Sequence, residues 1–197
     1  MTESTRTSAL ASRHRALGSD LEDWNGMGTA WSYNSDPCDE HDAVREAAGL
    51  FDMSGLKKVH VKGKDAEAVV DYIITRDMTK IGPGQSAYGA ILTDEGMIAD
   101  DAIIANMGDN EYIVVHGGGS TMELLEETAK GKDVTCEFDD DLHDISLQGP
   151  KALELLDAHT PMDLSSLKYF HQEKTELFGH SCIISRTGYS GERGYEI

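Results

Sequence analysis

The stretch 87-AYGAILTDEGMIADDAIIANMGDNEYIVVHGGG-119 consists of three mainly apolar segments separated by two short polar ones. The polar segments, TDEG at 93–96 and MGDN at 107–110, contain the Asp, Asn and Gly residues that favour tight turns. Apolar segments joined by such turns are typical of β-hairpins. The sequence therefore predicts a three-stranded antiparallel meander in this part of the chain.

Two adjacent carboxylates, Asp100 and Asp101, lie in the middle segment among Met, Ile and Ala residues. Charged side chains are rarely buried unless they are paired or take part in function. Either the pair lies at an exposed strand end, or one of the two acids has a chemical role.

A simple pairing scheme for the meander separates the two acids. If the last residue before each turn lies opposite the first residue after it, Tyr88, Asp101 and His116 form a row on one face of the sheet, with Cβ atoms roughly 5 Å apart. Asp100 then points to the other face and is expected to be structural or partly exposed. A change of one residue in either turn would reverse this assignment.

The row has the composition of a binding site, although three polar residues on a solvent-facing sheet remain the alternative. An acid such as Asp101 can orient or protonate an amine of a bound ligand. Tyr88 can stack on a flat heterocycle, and His116 is either a hydrogen-bonded neighbour or a catalytic group. We therefore expect Asp101 to be the working acid.

The rest of the chain mixes helical and extended segments. Apolar spacing predicts helices and strands, the helices over 41–48, 64–75 and 149–159 and the strands over 57–63, 133–138, 143–148 and the two ends of 178–197. Strands and helices do not alternate strictly. The sequence therefore predicts an α+β fold, with mainly antiparallel sheets and flanking helices.

The N-terminal part shows little periodicity. We expect residues 1–40 to form an irregular segment and residues 41–197 to form the folded region. The first fifteen residues are rich in Ser, Thr and Arg, which favours a disordered arm; a transit peptide is the weaker alternative.

Composition limits the partners and the compartment. The net charge of −19 argues against a nucleic acid or an anionic membrane as partner, and it fits either an acidic solvated surface or adaptation to high salt. The three cysteines, Cys38, Cys136 and Cys182, are widely spaced and indicate neither a disulfide framework nor a zinc ribbon. A reducing compartment, the cytoplasm, is therefore expected. No apolar run reaches the roughly 18 residues that span a membrane.

Three further motifs do not indicate a site. HGGGS at 116–120 resembles an esterase oxyanion loop, but the chain has no G-x-S-x-G nucleophile motif. RTGYSGERGYE at 186–196 lacks both a P-loop lysine and G-x-G-x-x-G, so we expect it to be a glycine-dependent turn between strands. The eight histidines show no spacing typical of metal ligands, and no metal is expected.

From Ala43 onward the chain resembles the folate-dependent aminomethyltransferases, whose type member is the T-protein of the glycine cleavage system. The resemblance rests on six stretches: AVREAAGLFDMSGL, KVHVKGKDA, PGQSAYGAILTDEGMIADDAII, EYIVVHGGG, SLQGPKALELL and SRTGYSGERGYEI. It implies the N-terminal folate-binding domains of the T-protein fold. It also implies tetrahydrofolate as cofactor and transfer of a one-carbon unit to it from a small amine or sulfonium donor.

The resemblance also assigns roles to residues. Asp101 matches the family's catalytic aspartate near the reactive folate nitrogens, and Tyr88, Tyr169 and Tyr189 match aromatic positions around the folate. His116 stands where the family usually has Asn. The remaining departures are Ser181 in place of a Glu that binds the pterin, Gly55 in place of a His, and Ala105 in place of a Tyr.

These departures fit a divergent branch that demethylates another small donor, such as dimethylsulfoniopropionate, dimethylglycine or an aryl methyl ether. In the glycine system the donor is an aminomethyl group on a lipoyl carrier protein, which makes such a carrier an expected partner. Two alternatives remain: a non-catalytic folate-binding relative that assists iron–sulfur protein assembly, and an inactive fragment that only binds partners. Family members are longer than this chain, so the region 41–197 is expected to be incomplete, without the C-terminal barrel and the basic residue that meets the folate tail.

Overall fold

The computed structural model describes residues 4–197. The strands are β1 (Arg6–Thr7), β2 (Glu22–Trp24), β3 (Met27–Thr29), β4 (Gly49–Asp52), β5 (Lys57–Lys62), β6 (Ser86–Leu92), β7 (Ile98–Gly108), β8 (Glu111–His116), β9 (Thr135–Phe138), β10 (Ile145–Gln148), β11 (Gln172–Leu177), β12 (His180–Ser185) and β13 (Gly194–Glu196). The α-helices are α1 (Ala11–Ala16), α2 (Pro37–Glu46), α3 (Ala66–Ile73), α4 (Thr121–Ala129) and α5 (Ala152–Asp157). No helix within residues 4–197 is long and apolar enough to cross a membrane.

The chain divides into two compact units. One unit takes its described residues from Met1–Gly55 and His143–Ile197, and the other is Leu56–Leu142. The boundary predicted between residues 40 and 41 does not coincide with this division. Residues 40 and 41 both lie in the first of these units. That unit takes in two stretches of the chain because β4 pairs with β10 in one sheet.

The unit Leu56–Leu142 contains a five-stranded sheet in the order β6-β7-β8-β5-β9. All neighbouring strands are antiparallel, and the predicted meander corresponds to β6, β7 and β8. Helices α3 and α4 contribute Val69, Val70 and Leu125 to the same buried cluster as Ile104 and Val114 of the sheet. Alternation along β7 therefore directs Asp100, Ala102 and Ile104 to the buried face and Asp101 to the opposite face.

The other unit contains a five-stranded antiparallel sheet in the order β11-β12-β13-β10-β4. Its core includes Leu156 of α5, Leu164, Ile184 and the fully buried Tyr195. Tyr195 donates a hydrogen bond from its hydroxyl to the backbone oxygen of Leu164, 3.1 Å away, so its polar end is satisfied inside the core. The predicted α+β fold with mainly antiparallel sheets is confirmed.

The prediction of an irregular segment over residues 1–40 is wrong for the described part of that range. It contains α1, the start of α2 and a three-stranded sheet in the order β1-β3-β2. The strands of this sheet are two or three residues long, too short to give a periodic pattern. The disordered arm predicted for residues 1–15 is likewise wrong from residue 4 onward, because β1 and α1 lie there; residues 1–3 lie outside the described residues.

Candidate functional site

Tyr88 and Asp101 are in contact on the exposed face of the sheet. The Tyr88 hydroxyl donates a hydrogen bond to Oδ2 of Asp101, 2.7 Å away. The prediction placed Tyr88 directly opposite Asp101. In the structure Ala90 lies opposite Asp101, and Tyr88 lies opposite Ile103. The shift is two residues, and side chains alternate between faces with period two. The predicted pairing is therefore wrong, but both side chains remain on one face.

His116 does not belong to this row. It lies opposite Ala102 in β7, one residue from the predicted partner Asp101. The difference arises in the second turn, where Asp109 and Asn110 have positive φ angles and the register shifts between Asn106 and Gly108. A one-residue shift moves a side chain to the other face. The prediction that His116 lies beside Asp101 is therefore wrong.

His116 instead contacts the other acid of the pair. Its Nδ1 is 2.9 Å from Oδ2 of Asp100, and the two side chains are only 0% and 6% exposed. The same oxygen accepts hydrogen bonds from Thr121 Oγ1 at 2.5 Å and from the backbone N–H of Gly119 at 3.2 Å. Oδ1 accepts one from the backbone N–H of Asp101 at 2.9 Å. Asp100 is therefore held by four hydrogen-bond donors, three on Oδ2 and one on Oδ1, as expected of a structural acid.

The protonation states of this buried pair follow from its surroundings. Burial acts to raise the pKa of Asp100, but hydrogen bonds from Thr121, His116 and the Asp101 backbone outweigh it and hold the pKa below its usual value. Burial lowers the pKa of His116 more than the neighbouring Asp100 raises it. Near neutral pH the pair is therefore a carboxylate and a neutral imidazole.

The tautomer of His116 follows from this charge state. An ionised Asp100 can only accept hydrogen bonds, so the proton of the neutral imidazole lies on Nδ1. Nε2 is then an acceptor, and it is buried without a hydrogen-bond partner among the described residues.

The HGGG motif has a structural explanation. A Cβ atom at Gly119 would lie 2.6 Å from the backbone oxygen of Ala99 and 2.8 Å from Cβ of Asp100. Only glycine allows the loop to approach β7 closely enough for the Gly119 N–H to reach Asp100. Sequence reasoning missed Gly119 and Thr121 as partners of the acid pair. The signal was the HGGGST segment itself, which follows directly after the third strand of the meander.

The exposed pair has a different character from the buried one. Asp101 is exposed and Tyr88 is 49% exposed. An exposed carboxylate can accept hydrogen bonds from N–H groups of a ligand or take up a proton. Tyr88 offers an aromatic face beside it.

The remaining predicted site residues lie in the other unit. Tyr169 is 62% exposed and packs edge-on against Phe170, with ring centroids 4.6 Å apart. Ser181 is exposed on β12, opposite Glu176 of β11. The Tyr189 side chain is fully exposed. All three are accessible to a ligand, and no two of them are paired residues in the strand registers of the described chain.

No group of three or more His, Cys, Asp or Glu residues within 4–197 is arranged to hold a metal ion. His60 contacts two acids, with Nδ1 3.2 Å from Glu111 and Nε2 3.1 Å from Asp139. Both ring nitrogens are therefore already engaged in protein hydrogen bonds.

Comparison with known proteins identifies relatives over the whole chain. The chain is 54% identical over 197 residues to the heme-dependent oxidative N-demethylase gamma subunit of Ectopseudomonas mendocina, covering 100% of this chain and 52% of that protein. It is 34% identical to an aminomethyltransferase of Saccharopolyspora erythraea, covering 98% of this chain and 54% of that protein. The chain thus spans about half the length of the curated relatives that it matches.

Solved structures agree with this relationship. The glycine cleavage system aminomethyltransferase T from Bartonella henselae superposes with a TM-score of 0.86 at 26% identity, over 97% of this chain and 52% of that one. The heterotetrameric sarcosine oxidase from Corynebacterium sp. U-96 shares the fold, with a TM-score of 0.58 at 14% identity over 81% of this chain and 80% of that one. The model of the GCVT N-terminal domain matches residues 10–197. The chain therefore belongs to the aminomethyltransferase family, as a GCVT N-terminal domain.

Proposed function

We propose that this chain binds tetrahydrofolate and takes part in the transfer of a one-carbon unit from the N-methyl group of a small amine to folate. The observation that carries the proposal is the exposed Asp101 carboxylate, hydrogen-bonded to Tyr88, in a chain of this family. The N-methyl donor is favoured because the relative that is 54% identical is named as an oxidative N-demethylase subunit.

The exposed pair fits a reduced folate. The pterin ring of folate is flat and carries N–H groups, so it matches an aromatic face next to a hydrogen-bond acceptor. Tyr88 supplies the aromatic face and Asp101 supplies the acceptor, 2.7 Å from the Tyr88 hydroxyl. Tyr169, Ser181 and Tyr189 remain proposed folate contacts, because each has an exposed side chain.

The chemistry of the chain's own residues is largely positional. Bound folate would supply the nucleophilic nitrogen for this transfer. The N-methyl group is first oxidised by two electrons to an iminium ion on the partner subunit proposed below, and the demethylated amine leaves as the carbon is bonded to the folate nitrogen. Asp101 orients the ring through an N–H group and accepts the proton that an amine nitrogen releases when it forms a bond to carbon. The negative charge of Asp101 also stabilises positive charge that develops on the carbon being transferred.

Partners follow from the same comparison and from charge. We propose that the chain works with another subunit that oxidises the methylated amine, since the 54% identical relative is a named subunit. The net charge of −19 favours a partner with a basic contact surface. In this proposal the one-carbon unit of a small-molecule methyl donor reaches folate after the partner subunit has oxidised that donor.

Aminomethyl transfer from a lipoyl carrier protein is the second candidate, because several relatives of 33–35% identity are aminomethyltransferases. Binding of a lipoyl carrier protein to this chain would favour it over demethylation. An acidic carrier surface would be repelled by this acidic chain. Because salt screens such repulsion, the affinity between carrier and chain would then rise as salt is added.

The first test is calorimetric titration of the stable reduced folate 5-formyltetrahydrofolate into the chain, with two variants alongside. We expect micromolar binding to the wild type and binding weakened at least ~10-fold in Asp101→Asn, because a charged acceptor is lost. Asp109→Asn is the matched control. Asp109 is an exposed turn residue with φ of 50°, a conformation that Asn tolerates well, so its affinity should equal that of the wild type.

Two results would contradict the proposal. One is the absence of binding by a chain whose circular dichroism spectrum and unfolding transition show it to be folded. The other is equal affinity of Asp101→Asn and Asp109→Asn, which would remove Asp101 from the folate contact.

A further inference from the structure

Asp100 is linked to Asp101 through the backbone. Its Oδ1 accepts the backbone N–H of Asp101 at 2.9 Å, while its Oδ2 is held by His116, Thr121 and the loop at Gly119. A carboxylate held by three donors on one oxygen has a fixed orientation. Because Oδ1 of this fixed carboxylate accepts the Asp101 N–H, it also fixes the peptide group that carries the exposed Asp101 side chain.

His116 contributes a single N–H to this arrangement. Its Nδ1 contacts Asp100, while its Nε2 has no partner among the described residues. The imidazole is neutral, so it supplies a dipole and not a charge. An Asn side chain carries an N–H donor at the same number of bonds from the backbone as Nδ1 of His, and it has no atom at the position of Nε2.

We propose that Asp100 and His116 are positioning residues, and that His116 serves only as an N–H donor that fixes Asp100, which in turn fixes the backbone of Asp101. The inference rests on the proposed function, in which Asp101 contacts folate. Two consequences follow. An asparagine at position 116 should replace the histidine without loss, and a side chain of similar size without an N–H should not.

The experiment compares His116→Asn, His116→Leu and Asp100→Asn in the full chain. Each is titrated with 5-formyltetrahydrofolate, and the amide signal of Asp101 is followed in ¹H–¹⁵N spectra without ligand. We expect His116→Asn to retain both the affinity and the amide position of the wild type. We expect His116→Leu and Asp100→Asn to weaken binding ~10-fold, since a charge-assisted hydrogen bond is lost, and to shift the Asp101 amide.

A control separates positioning from a general loss of stability. Val114→Ala removes a fully buried side chain from the same strand, two residues from His116 and on the same face. Its melting temperature should fall at least as far as that of His116→Leu. Its folate affinity and its Asp101 amide position should nevertheless stay those of the wild type.

The outcomes are distinct. Equal loss of affinity in His116→Asn and His116→Leu would overturn the inference, because the imidazole itself would then be required. Unchanged affinity and an unmoved Asp101 amide in His116→Leu would overturn it as well. If the amide shifts as expected but Asp101→Asn binds folate like the wild type, the positioning pair is supported and the folate role of Asp101 is refuted.

Discussion

Substitution of Gly194 by alanine tests whether the glutamine and glycine motifs of the chain form one feature. The Gln148 side chain is 2% exposed. Its Nε2 donates to Ser146 Oγ at 2.8 Å and to the Thr187 carbonyl oxygen at 3.1 Å, and its Oε1 accepts from Ser190 Oγ at 2.8 Å. A Cβ atom at Gly194, directly opposite Gln148 in β13, would lie 2.2 Å from both Cδ and Oε1 of that side chain.

The magnitude follows from these contacts. No side chain can remain 2.2 Å from a methyl carbon, so Gln148 must rotate away and give up its three hydrogen bonds. At roughly 1 kcal/mol net for each bond, the loss is about 3 kcal/mol. For a chain of this size such a loss lowers the melting temperature by roughly 6–12 °C.

The assay is thermal and urea unfolding of Gly194→Ala, Gln148→Ala and the double variant. Gln148→Ala loses the same hydrogen bonds and also removes the obstacle, so adding Gly194→Ala to it should cost almost nothing further. The two changes should therefore be strongly non-additive, with a coupling of about 3 kcal/mol.

Gly82→Ala is the matched control. A Cβ atom there would lie 3.4 Å from Oε1 of Gln85, an ordinary contact beside the same kind of side chain. Its effect should stay below ~1 kcal/mol. The reasoning is refuted if Gly194→Ala melts within the error of Gly82→Ala, or if the effects of Gly194→Ala and Gln148→Ala add.

Three further predictions concern a cap, a buried acid and the candidate site. Asp36 caps α2 by accepting a backbone N–H, so Asp36→Ala should lower stability by about 1 kcal/mol in urea unfolding; an unchanged midpoint would contradict this role. Asp52 is buried beside His14, and although burial acts to raise its pKa, hydrogen bonds from Ser54, Ser8 and His14 hold it below the usual value. A lowered folded pKa gives stability that is present above roughly pH 4 and lost as the pH falls, so the melting temperature of Asp52→Asn should depend less on acid than that of the wild type, and parallel curves would refute this. Tyr88→Phe should leave the melting temperature unchanged, because the residue is 49% exposed, but should weaken folate binding a few-fold through the lost hydrogen bond to Asp101; equal affinity in calorimetry would contradict it.

The meander shows how far sequence reasoning reaches. The existence of β6, β7 and β8 follows from apolar segments and turn residues, and the structure confirms it. The registers do not follow, because each hairpin contains an irregularity, between Ile91 and Leu92 and between Asn106 and Gly108. Turn residues mark that a hairpin is present but do not fix how many residues its turn takes up.

The two register errors had unequal consequences for the site. An error of two residues kept Tyr88 on the face of Asp101, so the predicted contact was right for a partly wrong reason. An error of one residue moved His116 to the buried face and to Asp100. A register error of an even number of residues leaves a side chain on its predicted face of the sheet, and an error of an odd number moves it to the other face. A site predicted from hairpins is therefore correct only if the number of residues in each turn is right or wrong by an even number.

The N-terminal segment shows a second limit, which is the contact between distant residues. A Cβ atom at Gly55 would lie 2.4 Å from the ring of Trp24, so the indole occupies the space into which any side chain at position 55 would project. By resemblance to the family, Gly55 stands in place of a histidine. Gly55 and Trp24 therefore pack as a pair: the aromatic ring of Trp24, from β2 of the N-terminal sheet, fills the space that a side chain at position 55 would take. A periodic pattern could not reveal it, because neither residue lies in a segment long enough to have a period.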